Sequence, residues 1–432
     1  MNLAELWPFY SEFAKHPSDR SIAPLAGIFY FMNKIEVVFQ MAIKVSTTNR
    51  IPPFLAMEMM NATRELEVTG ADLVHLEVGQ PSTPPPPAVL RALTTSLGTT
   101  RTHGYSVAFG ELPLRQRIAA HYEDWYDCRP DPANIAVTLG SSLGFTLAFL
   151  GAFDRGDRIA IANPGYPAYR NVMKALGLEP LLLPSRAAEG WVPRLEALAN
   201  EGNLPDGLLL ASPANPTGVV MSDADVKHIC HWCDANGVRL IMDEIYHGLT
   251  FDTRPTSALL HSNSAIVVNS FSKYFCMTGW RLGWMILPDD LLEITERLAQ
   301  NLYIGPSRPM QEGAMAAFDD YDILDQNVLR YRENRDVLLR ELPPEFLGDM
   351  APADGAFYIY ADLTHLSKPA VNSLDFANAM LREAHVACTS GVDFDQELGH
   401  RHLRLSYAGS TEDMKKASRR INSWLPSYLK SL

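Results

Sequence analysis

From residue 134 onward, short runs of β-branched and aliphatic residues alternate with stretches whose apolar positions recur every three or four residues. The runs cover 134–140, 158–164, 178–184, 207–213, 239–246, 265–272 and 281–287, and each predicts a strand. Amphipathic helices are predicted between several of them, for instance over 166–177 and 224–237, each closed by a glycine where a C-cap belongs. Such repetition of strand, helix and strand predicts an α/β layer structure around a mainly parallel sheet. Leu208-Leu209-Leu210 and Ile266-Val267-Val268 are apolar at consecutive positions, the pattern of strands covered on both faces.

Near residue 320 the pattern changes. A long charged helical stretch over 322–341 leads to Gly355-Ala356-Phe357-Tyr358-Ile359-Tyr360, a helix over 375–385, a strand-like run over 402–407 and a last helix from Thr411. This order predicts a smaller α+β domain. No internal repeat is present, and the four prolines from Pro84 to Pro87 read as a stiff connector.

The first 45 or so residues stand apart. Residues 22–31 are apolar apart from Pro24 and Gly27, but Asn33, Lys34 and Glu36 cut the run short of the ~20 residues a membrane span needs. Glu5, Glu12 and Asp19 precede it where a secretory signal would carry positive charge. Two readings of this extension stand side by side, a translation start at Met41 and a genuine capping or docking arm.

Composition changes the picture only by exclusion. With 432 residues, 47% apolar and 20% charged, the chain has the make-up of a soluble enzyme of two or three domains. A net charge of −13 without a Lys/Arg cluster argues against nucleic-acid binding. Five scattered cysteines suit a reducing compartment, so a cytoplasmic location is expected. Cys230-His231-Trp232-Cys233 has metal-ligand spacing, yet no second ligand pair accompanies it. Val226, Ile229, Cys230 and Cys233 fall at i, i+3, i+4 and i+7, a buried helix stripe, and no metal site is expected.

The chemistry gathers in motifs at the ends of the predicted strands. Ser270-Phe271-Ser272-Lys273-Tyr274 is followed by Arg281 in Gly279-Trp280-Arg281-Leu282-Gly283. This places an amine, a hydroxyl and a guanidinium on one connection. Leu139-Gly140-Ser141-Ser142 closes one strand and opens a helix, which turns backbone amides toward an anion. Ala162-Asn163-Pro164-Gly165-Tyr166-Pro167, Ala211-Ser212-Pro213-Ala214-Asn215-Pro216-Thr217-Gly218, Met242-Asp243-Glu244-Ile245-Tyr246-His247 and His402-Leu403-Arg404-Leu405 follow in order along the chain.

Together these segments resemble the class I and II aminotransferase family of fold-type I pyridoxal 5′-phosphate enzymes. The resemblance implies a three-layer large domain around a mainly parallel seven-stranded sheet, with a smaller α+β domain. The expected division is an extension at 1–48, a segment at 49–84 that packs with the small domain, a large domain at 85–320 and a small domain at 321–432. The resemblance makes Lys273 the lysine that bonds to the cofactor and moves the proton. Gly140, Ser141, Ser142, Ser270 and Arg281 would hold the phosphate, and Tyr166 would stack on the ring. Asn215 and Tyr246 would face the phenolic oxygen, and Asp243 the ring nitrogen. Glu244 is read as structural. Arg404 would receive the substrate carboxylate by a planar two-pronged contact, with Gly79 approaching from the other side. Tyr105, in His103-Gly104-Tyr105 with Gly110 and Leu114-Arg115 after it, matches a family tyrosine that reaches the neighbouring subunit's site, which implies a homodimer.

Two departures bear on substrate. Ser142 stands where relatives that handle dicarboxylates carry a lysine, and Ser390-Gly391 stands where close relatives often have Pro-Gly. The activity implied is ping-pong transfer of an amino group between an α-amino acid and a 2-oxo acid. The alternative on the same fold is a carbon–sulfur β-lyase or another α-carbon enzyme. A transcription regulator would need a basic helix-turn-helix module, which the extension does not supply.

Overall fold

The structure, a computed structural model, describes residues 51–432 apart from 196–197, 199–203, 253 and 367–370. Both readings of the amino-terminal extension lie outside the described residues.

The described chain opens with α1 (Leu55–Val68), β1 (Val74–His75), α2 (Pro87–Leu97) and α3 (Leu112–Tyr126). Alternation follows: β2 (Ile135–Thr138), α4 (Ser141–Ala152), β3 (Arg158–Asn163), α5 (Pro167–Leu176), β4 (Glu179–Pro184) and β5 (Gly207–Ala211). Next come α6 (Asp223–Asn236), β6 (Arg239–Asp243), β7 (Ile266–Ser270) and β8 (Gly283–Ile286). The carboxyl-terminal part holds α7 (Leu292–Leu302), α8 (Arg308–Ala317), α9 (Tyr321–Glu341), β9 (Tyr358–Asp362), α10 (Ser373–Ala379), β10 (Val386–Ala387), β11 (Thr389–Ser390), β12 (His402–Ser406) and α11 (Thr411–Ser431).

All seven predicted runs became strands of one sheet, ordered β2-β8-β7-β6-β5-β3-β4. Only β8 runs antiparallel to its neighbours; the pairs from β7 to β4 are parallel. Successive side chains of a strand point to opposite faces, and both faces here are apolar cores. Leu208, Leu210, Leu240, Met242 and Val267 join one buried cluster, while Leu209, Ile241, Ile266 and Val268 join the other. That is why the sequence shows continuous hydrophobic runs instead of alternation.

Each strand is shorter than its run, and at two of them the local reason is plain. β8 begins only at Gly283, two residues into its run, because Arg281 adopts a left-handed backbone, φ 53°. β6 ends at Asp243 because its carboxylate accepts the Ile245 N–H at 2.9 Å, a side-chain turn that replaces the ladder. The helix expected over 375–385 regularises only to Ala379 and then widens into a π turn, Met380–Ala384. In α6 the stripe of Val226, Ile229, Cys230 and Cys233 is buried, which accounts for the cysteine pair as core.

A second sheet, β11-β12-β9, is antiparallel, and β1 pairs in parallel with β10. Helix α1 has no side-chain cap of its own; Asp393 accepts the Ala56 N–H at 3.2 Å in that place. This contact across 337 positions of sequence fixes Phe54 and Met57 at the rim of the cavity described next.

Candidate active site

The carboxyl ends of β2, β3, β5, β6 and β7 face one cavity of about 400 Å³, where open parallel sheets bind their ligands. Each strand ends on a turn that carries one of the sequence motifs.

Lys273 follows β7 and lies partly buried in the cavity. Its Nζ donates to the Gly79 carbonyl at 2.7 Å and sits 5.7 and 5.8 Å from the ring centres of Tyr246 and Phe357. Burial, helped by the positive charge of Arg404, lowers its ammonium to about 8. About a tenth of the amine is therefore neutral and nucleophilic at pH 7, far more than for an ordinary lysine.

Asp243 lies beneath the cavity, 2% exposed. Tyr169 donates a short hydrogen bond to one carboxylate oxygen, and the Ile245 N–H donates to the other. Burial dominates and raises the carboxyl to about 6. Such a group is stabilised as the anion by a cation placed against it, as a protonated ring nitrogen would be. Glu244, fully buried, turns away and accepts from the Ser257 hydroxyl and the Ala258 N–H.

At another end, Gly140 has φ +74°, and a Cβ there would stand 2.5 Å from the Arg281 Nη2. Only glycine leaves the guanidinium its place against this turn. Ser141 opens α4, so unpaired helix N–H groups, the Ser142 and Ser272 side chains and Arg281 border one corner. This corner has the donor set of a phosphate cradle. Ser270 does not border the cavity: its hydroxyl accepts the Ser272 N–H at 3.0 Å and lies 2.8 Å from the Ser272 hydroxyl. Ser272, not singled out from the sequence, is the hydroxyl that faces the cavity.

Arg404 closes the opposite side. It is 3% exposed and donates to Asn215 Oδ1 at 3.1 Å and to the Glu77 carbonyl at 2.5 Å. Its guanidinium lies 4.5 Å from the Tyr358 ring centre and 4.7 Å from that of Phe394. Its buried Nε has no partner. Tyr166 borders the cavity, edge-on to Phe54 and Tyr169. Lys273, Arg281 and Arg404 are the only Lys or Arg side chains among the described cavity-lining residues. Arg308 is paired with Glu111 at 2.8 Å, and neither it nor Tyr105 lines the cavity of its own chain.

A buried amine, a buried carboxyl that lacks a cation, an anion cradle and a carboxylate-receiving arginine thus share one cavity. These residues fit pyridoxal phosphate. Tyr169 and Tyr358 were missed in the sequence; Tyr169 carries only the weak signal of its i+3 spacing from Tyr166, which puts both on one helix face.

Comparison with known proteins gives the same family. The model of "Aminotransferase class I and II" matches residues 71–421. A valine–pyruvate aminotransferase of Mycobacterium tuberculosis is 42% identical over 391 residues, 90% of this chain and 100% of the relative. A (5-formylfuran-3-yl)methyl phosphate transaminase of Methanocaldococcus jannaschii is 31% identical over 86% of this chain and 96% of its own. Among solved structures, an aminotransferase from Mycobacterium tuberculosis superposes with a TM-score of 0.86 at 42% identity, over 89% of this chain and 100% of that one. Aspartate aminotransferase from Thermus thermophilus with maleate gives 0.81 at 26% identity, over 88% and 99%. With the family model spanning most of the chain and the cavity supplying the expected groups, this protein belongs to the class I and II aminotransferases, enzymes that depend on pyridoxal phosphate.

Proposed function

We propose that this aminotransferase takes its amino group from α-amino acids with neutral side chains and that the sequence-matched residues act as follows. Arg404 receives the substrate α-carboxylate, its plane set by Asn215, the Glu77 carbonyl and the Tyr358 ring. Gly79 lets the backbone approach from the other side. Gly140, Ser141, Ser142, Ser270 and Arg281 form and support the phosphate cradle, Tyr166 stacks on the ring, and Asn215 and Tyr246 face its phenolic oxygen. Bound there, pyridoxal phosphate supplies an aldehyde for the amino group and a ring that takes up the electron pair left on the α-carbon. Asp243 keeps the ring nitrogen protonated, and the Lys273 amine removes and returns the proton. The first 2-oxo acid leaves before the second enters.

The observation that carries the substrate reading is the cavity lining. Every lining cation already has a role, and the remaining wall is largely apolar: Phe54, Ala56, Met57, Val78 and Ile245. A second carboxylate would be desolvated there without a partner. The name of the 42% identical relative, valine–pyruvate aminotransferase, supports a neutral donor, and the transaminase names of the relatives do not favour the β-lyase alternative. A donor screen that follows 2-oxo acid formation should give valine, alanine or aromatic donors at least the kcat/KM of aspartate. A preference for aspartate or glutamate of about a hundredfold, ~3 kcal/mol of transition-state binding, would overturn this reading.

We also propose a cytoplasmic homodimer, with a large domain at 85–320, a small domain at 321–432 and a segment at 49–84 that packs with the small domain. No helix among the described residues is long and apolar enough to cross a membrane. Tyr105 is 81% exposed, and Val107 and Leu112 beside it are exposed too, which supports reciprocal sharing of sites. Isolated heterodimers of a Tyr105→Phe chain and a Lys273→Ala chain should recover activity above the Tyr105→Phe parent, to at most about half the wild-type value per dimer. No gain would confine the tyrosine to its own chain.

A further inference from the structure

The Tyr358 hydroxyl has no role in the scheme above, yet the residue touches three of the site's working parts. It lies on β9, 1% exposed, and borders the cavity. Its hydroxyl is 2.7 Å from the Tyr246 hydroxyl. Its ring carries the Arg404 guanidinium at 4.5 Å. It also packs so closely on Gly79 that a Cβ there would stand 1.7 Å from its Oη, and the Gly79 carbonyl is the acceptor of Lys273.

We propose that Tyr358 is a positioning residue whose hydroxyl donates to Tyr246, aiming and strengthening the Tyr246 O–H toward the cofactor's phenolic oxygen, while its ring holds Arg404 in plane. The inference rests on the proposed role of Tyr246. The proton count selects the direction. Each phenol has one proton, and a 2.7 Å contact uses one. If Tyr246 directs its own proton at the cofactor, the proton between the two phenols belongs to Tyr358. An O–H whose oxygen accepts a hydrogen bond is itself a better donor. Burial pushes both phenols above their ordinary range, so both stay protonated at neutral pH. The charged or titratable groups that face the pair are Arg404, Lys273, Asp243, Tyr166 and Tyr407. None of them lies between the two hydroxyls, which are in direct contact.

The test is a pH titration of the bound cofactor's absorbance, which needs no turnover. A weaker Tyr246 donor leaves the phenolic oxygen more basic, so the lysine-linked cofactor holds its proton to higher pH. In Tyr358→Phe the midpoint should rise by about half a unit, a roughly threefold change in proton affinity. Tyr246→Phe should raise it further, and adding Tyr358→Phe to Tyr246→Phe should change nothing more. An unmoved midpoint in folded, cofactor-loaded Tyr358→Phe would overturn the proposal, as would the same shift in both backgrounds. Tyr358→Leu supplies the second arm. It removes the platform of Arg404, and binding of a 2-oxo acid should weaken about tenfold, whereas Tyr358→Phe should leave that affinity near wild type. Equal loss in both variants would contradict the division of labour between hydroxyl and ring. Borohydride fixation on wild-type protein separates the two levels: cofactor that is not fixed at Lys273 sinks the functional reading, and a normal fixation with no midpoint shift sinks only the role of Tyr358.

Discussion

Lys273→Ala protein should fold and take up cofactor without a covalent link, borohydride should fix none of it to the chain, and turnover should fall by at least about a thousandfold. The expectation rests on position. Lys273 is the only lysine among the described cavity-lining residues, and its Nζ is held by the Gly79 carbonyl in front of Tyr246 and Phe357. Its ammonium is lowered to about 8, which suits both tasks, since the neutral amine attacks the aldehyde and the freed amine removes a proton. Loss of the side chain removes both at once. Folding should survive because the turn is held by its backbone, by Ser270 and Ser272, and by Phe271 in the core. Peptide mapping after reduction gives the answer, and cofactor trapped on another lysine would contradict the assignment.

Asp243→Asn should bind cofactor yet lose at least about a hundredfold in rate, ~3 kcal/mol of barrier. The amide keeps the shape of the side chain but cannot hold a proton on the ring nitrogen, and without that proton the ring is a poor acceptor of electrons. The same substitution should have the opposite effect on the stability of cofactor-free protein. The native carboxyl sits at about 6 against an ordinary 3.8, so native protein binds more protons than unfolded protein between those values. Stability of the wild type therefore falls as pH rises from about 4 to 6, and the loss persists above that. Cofactor-free Asp243→Asn should be more stable at pH 7.5 by up to about 3 kcal/mol, read from urea midpoints. Equal midpoints would mean that the carboxylate is already compensated in the empty site.

The strands were legible because this sheet is buried on both faces, so each strand prints an apolar run of its own, as in Leu208-Leu209-Leu210. Much of the site was legible for a related reason: its residues stand at or just after strand ends, Asp243 as the last residue of β6 and Lys273 in the turn after β7, and so fall in compact motifs. What stayed hidden depends on contacts between distant segments. Asp393 caps α1 across 337 residues, and Tyr358 meets Tyr246 across 112; neither leaves a local pattern. Ser270 and Ser272 are two positions apart, and only the turn's own hydrogen bonds decide which hydroxyl supports and which faces the cavity. The π turn at Met380–Ala384 has no glycine or proline to announce it.

The central claim, amino transfer through a cofactor loaded and unloaded in turn at Lys273, is tested most directly by a single half-reaction. Purified, cofactor-saturated enzyme mixed with excess valine or alanine and no acceptor should form about one equivalent of 2-oxo acid per site and then stop, with the amino group retained on the protein-bound cofactor. Addition of pyruvate after valine should restart it. Continuous 2-oxo acid formation with free ammonia in the absence of acceptor would contradict the account and point to elimination or deamination instead.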